Sequence, residues 1–263
     1  MSHRLFIVVA AALLASCGGG DDNGDTGGGN SGGNQPAPSG GNAGGTTSTN
    51  WSGYARSGAI GEFTGIAGTW TVPDPRCTSG ATNSSHWIGI GGFTTGDQTL
   101  IQAGIGVDCR DNVKNFYAWW EALPLPIVTI AGVSPAQPTL ELFPGDVITV
   151  EIAGEVAIWT IAIHNVTRGT DFSITIPYTS SGSSAEWIAE LPLAAGVGAV
   201  QPPLTDFGRV SFSHLTANGA NPALVSSERV ILTNLTGSET LASPSAPGSG
   251  GDSFDVCFGG GSC

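Results

Sequence analysis

From Asn50 onward the chain is punctuated as short strands and turns, and no window of helical length sustains a 3.6-residue apolar period. Residues 69–73, 146–152, 157–163, 172–176, 209–212 and 229–233 are rich in β-branched and aromatic side chains. Such residues suit a pleated, half-buried surface. Turn signals separate these runs at strand-length spacing: Pro144-Gly145-Asp146, Arg168-Gly169, Ser181-Gly182 and Asn218-Gly219. The pattern predicts an all-β domain, an antiparallel sandwich or barrel. Its last strand falls at 253–258, so one domain spans residues 50–263.

Composition narrows the function classes. Only 11% of the 263 residues are charged, against a usual figure of about 25%. Twenty-one acidic residues face eight Lys and Arg, a net charge of −13. That balance argues against nucleic-acid binding, which needs a basic surface to neutralise phosphates. It argues equally against an acidic substrate. Seven Trp and ten Phe give the chain enough apolar surface for a core. No run of about 18 apolar residues exists to span a bilayer as a helix.

The first 17 residues read as an export signal. Arg4 supplies a positive start, and Leu5 to Leu14 form an apolar stretch too short for a transmembrane helix. The stretch ends Leu14-Ala15-Ser16-Cys17, which looks like a bacterial lipobox. Cys17 would then carry lipid and become the mature N-terminus, holding the protein at a membrane surface without spanning it. The alternative is an ordinary cleavage site with a chance cysteine. Gly18 after Cys17, by resemblance to enterobacterial lipoproteins, points to outer-membrane sorting. Residues 18–49 are nearly all Gly, Asn, Ser, Thr, Asp and Pro and are expected to form a disordered tether. A Gly-rich coil of that length reaches roughly 30 Å root-mean-square. Asp25-Thr26-Gly27 in that tether resembles half of an aspartic-protease signature, but flexible glycine cannot hold a catalytic aspartate rigidly.

Four cysteines remain: Cys77, Cys109, Cys257 and Cys263. In an exported chain they suggest two disulfides with three possible connectivities. Proximity in sequence favours Cys77–Cys109 and Cys257–Cys263. No C-x-x-C pair or His cluster supports a zinc site, and the chemistry below calls for no metal or other cofactor. A monomer is the default expectation.

Histidines are sparse in the domain: His86, His164 and His214 are scattered, and no G-x-S-x-G elbow accompanies them. Three other places combine polar and apolar groups. Gln102 lies in Leu100-Ile101-Gln102-Ala103-Gly104, where a buried amide needs partners. It is either a structural bond to a neighbouring strand or a functional donor. In Ser184-Ala185-Glu186-Trp187-Ile188-Ala189-Glu190, period 2 puts Glu186, Ile188 and Glu190 on one face and Ala185, Trp187 and Ala189 on the other. Glu186 is either an exposed strand residue or a base with a tuned pKa. Tyr117-Ala118-Trp119-Trp120-Glu121 lines a substrate groove or is core plus one solvent-facing acid.

With these segments in place, the sequence resembles the glutamic peptidases, or eqolisins, the pepstatin-insensitive acid proteases best known from fungi. Seven segments follow the family's order: Asn50-Trp51-Ser52-Gly53, Thr69 to Pro73, His86-Trp87-Ile88-Gly89-Ile90, Leu100 to Gly104, Ala118-Trp119-Trp120-Glu121, Ala185-Glu186-Trp187-Ile188, and Asp206 to Val210. The resemblance implies a sandwich of two antiparallel sheets, similar to concanavalin-like lectins, with the active site on its concave face. It implies an endopeptidase acting on proteins or peptides in acid, with Gln102 and Glu186 as the catalytic pair. It sets Trp87, Trp119 and Glu121 in the substrate groove. Two positions depart from the family. Gly91 and Tyr117 stand where the family tends to have acids, which removes neighbours that could hold a proton near the pair.

A second reading is a carbohydrate-binding or glycan-hydrolysing sandwich, since one fold serves many functions. Glu121 and Glu186 would then be its carboxylate pair, with Trp119 and Trp120 stacking on sugar. Retaining glycosidases need such carboxyls about 5–5.5 Å apart. Whether Gln102 or Glu121 sits nearer Glu186 separates the two readings. A third is a surface lipoprotein that kept the fold without the activity.

Overall fold

The computed structural model describes residues 39–42, 45–130, 140–155, 157–192, 201–261 and 263. The export signal, Cys17 and residues 18–38 of the tether lie outside them. The strands are β1 (Ser39–Asn42), β2 (Gly45–Ser48), β3 (Trp51–Ser57), β4 (Gly65–Thr71), β5 (Ala81–Ile90), β6 (Ile101–Arg110), β7 (Val113–Ala122) and β8 (Val128–Ile130). They continue with β9 (Val147–Glu155), β10 (Ile158–Asn165), β11 (Thr170–Pro177), β12 (Ser184–Glu190), β13 (Arg209–Ala217), β14 (Arg229–Thr233), β15 (Thr240–Pro244) and β16 (Phe254–Phe258). One 3-10 turn, Ser226–Glu228, precedes β14.

The hydrogen-bonded order is β11-β10-β9-β4-β13-β16-β15-β14-β3-β12-β5-β6-β7-β8. This path folds over on itself as a sandwich of two layers, with β4, β9 and β10 stacked on β5 and β6. β13 belongs to both layers. Its first half, Arg209 to Phe212, pairs with β16, and its second half, from Ser213 to Ala217, pairs with β4. Among the described residues, every strand pairing is antiparallel except that of β2 with β14.

The sequence dictates which strands cover which face. β10 alternates buried Trp159, Ile161 and Ile163 with less buried neighbours, the pattern of a sheet with one wet side. β9 does the same with Ile148, Val150 and Ile152. β12 is buried along its whole length, and β5 and β6 along most of theirs. One face of these three joins the main core through Ile88, Ile90, Ile101, Ile105, Ala185 and Trp187. The other carries a second apolar cluster of Trp51, Ala55, Trp87, Leu100, Trp119 and Ile188.

The strand windows read from 146–152, 157–163, 172–176, 209–212 and 229–233 fall on β9, β10, β11, β13 and β14. The domain starts earlier than Asn50. Gly45–Ser48, assigned above to the tether, forms β2 and pairs parallel to β14 through Thr46, Thr47 and Ser48. The Ser48 hydroxyl then accepts the Asn50 and Trp51 N–H groups at 3.3 and 3.1 Å. Backbone pairing stabilises this strand, and a composition poor in apolar residues does not announce it. The structure pairs Cys77 with Cys109 and Cys257 with Cys263, at Cα–Cα distances of 5.4 and 5.5 Å.

His86 lies wholly inside the main core, edge-on to Phe207 at 5.1 Å between ring centroids. Neither ring nitrogen has a hydrogen-bond partner among the described residues. Burial disfavours the imidazolium and lowers the pKa from 6.5 to about 3. A depressed histidine pKa gives stability that is present above pH 6.5 and lost as pH falls toward 3, because the unfolded chain takes the proton first. The slope of this contribution is at most about 1.4 kcal/mol per pH unit. Replacing His86 by Leu should therefore flatten the loss of stability between pH 6.5 and 3. Urea midpoints measured across that range will read it. A slope equal to that of the unmodified chain would refute the assignment.

Candidate active site

Cross-strand register assembles the candidate residues on one rung. Ala55 of β3 pairs with Glu186 of β12, Glu186 with Gly89 of β5, Gly89 with Gln102 of β6, and Gln102 with Glu121 of β7. Directly opposed residues share a face, so Glu186, Gln102 and Glu121 project from the same side. That side is the outer face of the second apolar cluster. The next rung reads Gly53, Ile188, Trp87, Gly104 and Trp119, and the one after it Trp51, Glu190, Ser85, Gly106 and Tyr117. All five residues singled out in the sequence, Gln102, Glu186, Trp87, Trp119 and Glu121, thus lie on one face within two rungs.

Glu186 and Gln102 are two strand spacings apart, about 10 Å at Cα, and Glu121 one spacing further, about 14 Å. Gly89 between them has no side chain to fill the gap. A Cβ there would come within 2.9 Å of the Trp87 ring and 3.0 Å of Leu100 Cδ1. Gln102, not Glu121, is therefore the nearer neighbour of Glu186.

Glu186 is 0% exposed, and no described residue hydrogen-bonds either carboxyl oxygen by geometry. Burial pushes its pKa well above the ordinary carboxylate range; the nearby Ser184 hydroxyl opposes that rise, and the Asp97 charge adds to it. Gln102 is 4% exposed, and its Nε2 donates to Glu121 Oε2 at 2.7 Å. That bond fixes which end of the amide is the donor and leaves Oε1 without a partner among the described residues. Burial raises the Glu121 pKa too, and the bond from Gln102 works against it.

The tryptophan floor is fixed by polar anchors. Trp87 Nε1 donates to Glu190 Oε2 at 2.6 Å, and Asn50 Nδ2 to Glu190 Oε1 at 3.2 Å. Trp119 Nε1 donates to Ser85 Oγ at 3.1 Å. Trp51 meets Trp87 edge-on at 5.1 Å and stacks on Phe93 at 6.4 Å. The sequence put Glu190 on the Glu186 face but did not single it out as an anchor. It also passed over Asp97, whose setting of Ser and Thr residues is the usual signal for side-chain-to-backbone turns.

The histidines stay apart from this face: His86 is in the core, His164 pairs with Asp171 at 2.8 Å on the other layer, and His214 contacts Ser213. No group of three metal-ligating side chains gathers among the described residues. No described helix is long and apolar enough to cross a membrane.

Tyr117 packs against Gly106, its cross-strand partner. A Cβ on Gly106 would fall 2.1 Å from Tyr117 Cζ, which a packed ring cannot accommodate in place. The Gly106→Ala variant should lose about 1–3 kcal/mol, read as a lower urea midpoint at unchanged slope. Tyr117→Leu should recover part of that loss in the double variant. Strict additivity of the two changes would refute the contact.

The sequence profile of the Peptidase A4 family matches residues 49–254. No match is found among curated protein sequences. Among solved structures, the chain is similar to scytalido-glutamic peptidase in complex with a transition-state analogue inhibitor. The TM-score is 0.62 at 19% identity, covering 80% of this chain and 98% of that one. It is similar to SCP-B, a member of the eqolisin family in a complex with the tripeptide Ala-Ile-His, with a TM-score of 0.59 and 18% identity over 80% and 98% of the two chains. It is also similar to aspergilloglutamic peptidase from Aspergillus niger, with a TM-score of 0.52 and 23% identity over 67% and 99%.

Proposed function

The chain belongs to the peptidase A4 family and is a glutamic-type endopeptidase, and we propose that Glu186 and Gln102 form its catalytic pair. The observation that carries this assignment is the shared rung: a buried carboxyl with both oxygens unengaged, facing a buried amide across a glycine.

In this reading ionised Glu186 takes a proton from a water poised over the scissile carbonyl. The resulting hydroxide adds to the carbonyl carbon, and negative charge gathers on the carbonyl oxygen. Glutamine Nε2 keeps one N–H on Glu121 and has a second to offer that oxygen. Glu121 thereby holds the donor in place before the reaction begins, which is where such donors gain their effect. Protonated Glu186 then returns its proton to the departing nitrogen as the C–N bond breaks, giving a free acid and an amine. No acyl-enzyme forms. The buried carboxyl is a stronger base than an exposed one, at the cost of a smaller ionised fraction in acid. Trp87 and Trp119 provide an apolar floor for the substrate. The glycan reading is disfavoured by Glu121, which lies three strand spacings from Glu186 and is engaged by Gln102.

We further propose that the mature protein is an exported lipoprotein joined to a membrane through Cys17 and the Gly-rich segment, and that it acts as a monomer. The low content of basic residues, seven once Arg4 is removed from the eight in the chain, keeps self-repulsion small when carboxylates neutralise in acid.

Hydrolysis of a denatured protein from pH 2 to 7, with pepstatin present, tests the catalytic assignment. Glu186→Gln should retain the fold by circular dichroism and lose cleavage. Gln102→Ala should lower kcat by roughly 10²–10³. The acid limb of kcat/KM should lie above the ordinary carboxylate range, following the raised Glu186 pKa. Cleavage by Glu186→Gln at a rate near that of the unmodified chain would rule out the pair.

A further inference from the structure

The segment between β5 and β6 folds against the segment that leads into β12, and a single carboxylate joins them. Asp97 Oδ1 accepts the Thr99 N–H at 2.8 Å and the Thr99 hydroxyl at 2.7 Å. Asp97 Oδ2 accepts the Gly92 N–H at 3.0 Å, the Ser183 hydroxyl at 2.9 Å and the Ser181 hydroxyl. Two of these donors lie more than eighty residues away in sequence. Around this hub the Ser181 N–H donates to Thr99 Oγ1 at 2.9 Å, and the Ser183 and Thr94 hydroxyls lie 3.2 Å apart. The Gly91 N–H donates to Ser184 O at 3.0 Å, and the Phe93 N–H to Ser184 Oγ at 3.3 Å. Ser184 opens β12 two residues before Glu186 and shares its face. The same loop carries Phe93, which stacks on Trp51 and packs against the cluster containing Ala55, the rung neighbour of Glu186.

We infer that Asp97 is a positioning residue for Glu186: its carboxylate fixes the entry of β12 and sets a negative charge beside the Glu186 carboxyl. The inference rests on the catalytic reading of Glu186 given above. Burial alone would raise the Asp97 pKa, but the bonds from Gly92, Ser181 and Thr99 outweigh it and hold the carboxyl below its ordinary range. Asp97 is thus ionised while Glu186 still titrates. A like charge nearby disfavours ionisation, so Asp97 lifts the proton affinity of Glu186, and its removal lowers it. The other titratable side chains that bear on this face include Glu121 beyond Gln102, Glu190 two rungs along the same strand, Tyr117 on the Glu190 rung, and Tyr178. The Tyr178 hydroxyl accepts the Leu100 N–H at 2.8 Å and lies near both Asp97 and Glu121. The bonds from Gly92, Ser181 and Ser183 place the Asp97 carboxylate at the entry of β12, where its charge adds to the burial that raises the Glu186 pKa.

The test follows Glu186 directly by carbon NMR of side-chain-labelled glutamate, its signal assigned by loss in Glu186→Gln, alongside the pH profile of kcat/KM. Asp97→Asn should lower the Glu186 midpoint by about half a pH unit or more, and the acid limb should move by the same amount. Ser183→Ala and Thr99→Val keep the charge. They should leave midpoint and limb in place while lowering the melting temperature. In the unmodified chain the Glu186 signal should also show a small step at the Asp97 midpoint, a reading that does not depend on the variant folding. An unmoved midpoint in folded Asp97→Asn, or the lack of that step, overturns the inference. The NMR arm needs no turnover, so a chain that cleaves nothing overturns the catalytic reading alone.

Discussion

The site depends on one matter of parity. Five strands, β3, β12, β5, β6 and β7, run side by side in an antiparallel register that puts Ala55, Glu186, Gly89, Gln102 and Glu121 on a single rung. A one-residue slip of any strand would send its side chains to the other face. That slip would push Ile88 or Ile101 out of the core and drive Gln102 or Glu186 into it. The apolar packing between the layers therefore enforces the geometry of the polar groups on the outer face. Burial of one side fixes the chemistry of the other.

The same burial shapes the electrostatics. Glu186 is 0% exposed and no described residue hydrogen-bonds its oxygens by geometry, so its charge is costly. Gln102 responds to no pH change, and its orientation is held by Glu121. The face thus joins one group that titrates with one that does not. Tryptophans anchored to Glu190 and Ser85 surround them, so this floor is stiff as well as apolar. In the proposed mechanism, stiffness of that kind would keep donor and base in working geometry without reorganisation at the moment of reaction.

Much of this was legible in the sequence. Alternation in residues 184–190 sorted β12 into its two faces, and the β-branched runs marked β9, β10, β11, β13 and β14. Gln102, Glu186, Trp87, Trp119 and Glu121 came from the order of short motifs, which carries more than any one of them. What escaped has a common physical cause. β2 hides in a glycine-rich stretch because its stabilisation comes from backbone pairing with β14 and not from buried side chains. Asp97 hides because its partners Ser181 and Ser183 are remote in sequence, and hydroxyl-to-carboxylate bonds leave no periodic trace. Gly91 stands where the resemblance leads one to expect an acid. The carboxylate nearest that loop comes instead from Asp97, six positions on.

β13 passes from one layer to the other as one strand, pairing with β16 at Arg209 to Phe212 and with β4 from Ser213 on, across a register shift between Ser213 and Thr216. Two layers stitched by a shared strand cannot slide across each other as separate plates. In the proposed reading, a polypeptide substrate on this face must be accommodated by the connections beside it, among them residues 91–99, while the strands keep their rungs. The shared strand ties the two layers to one relative position, and the room for change lies in the loops.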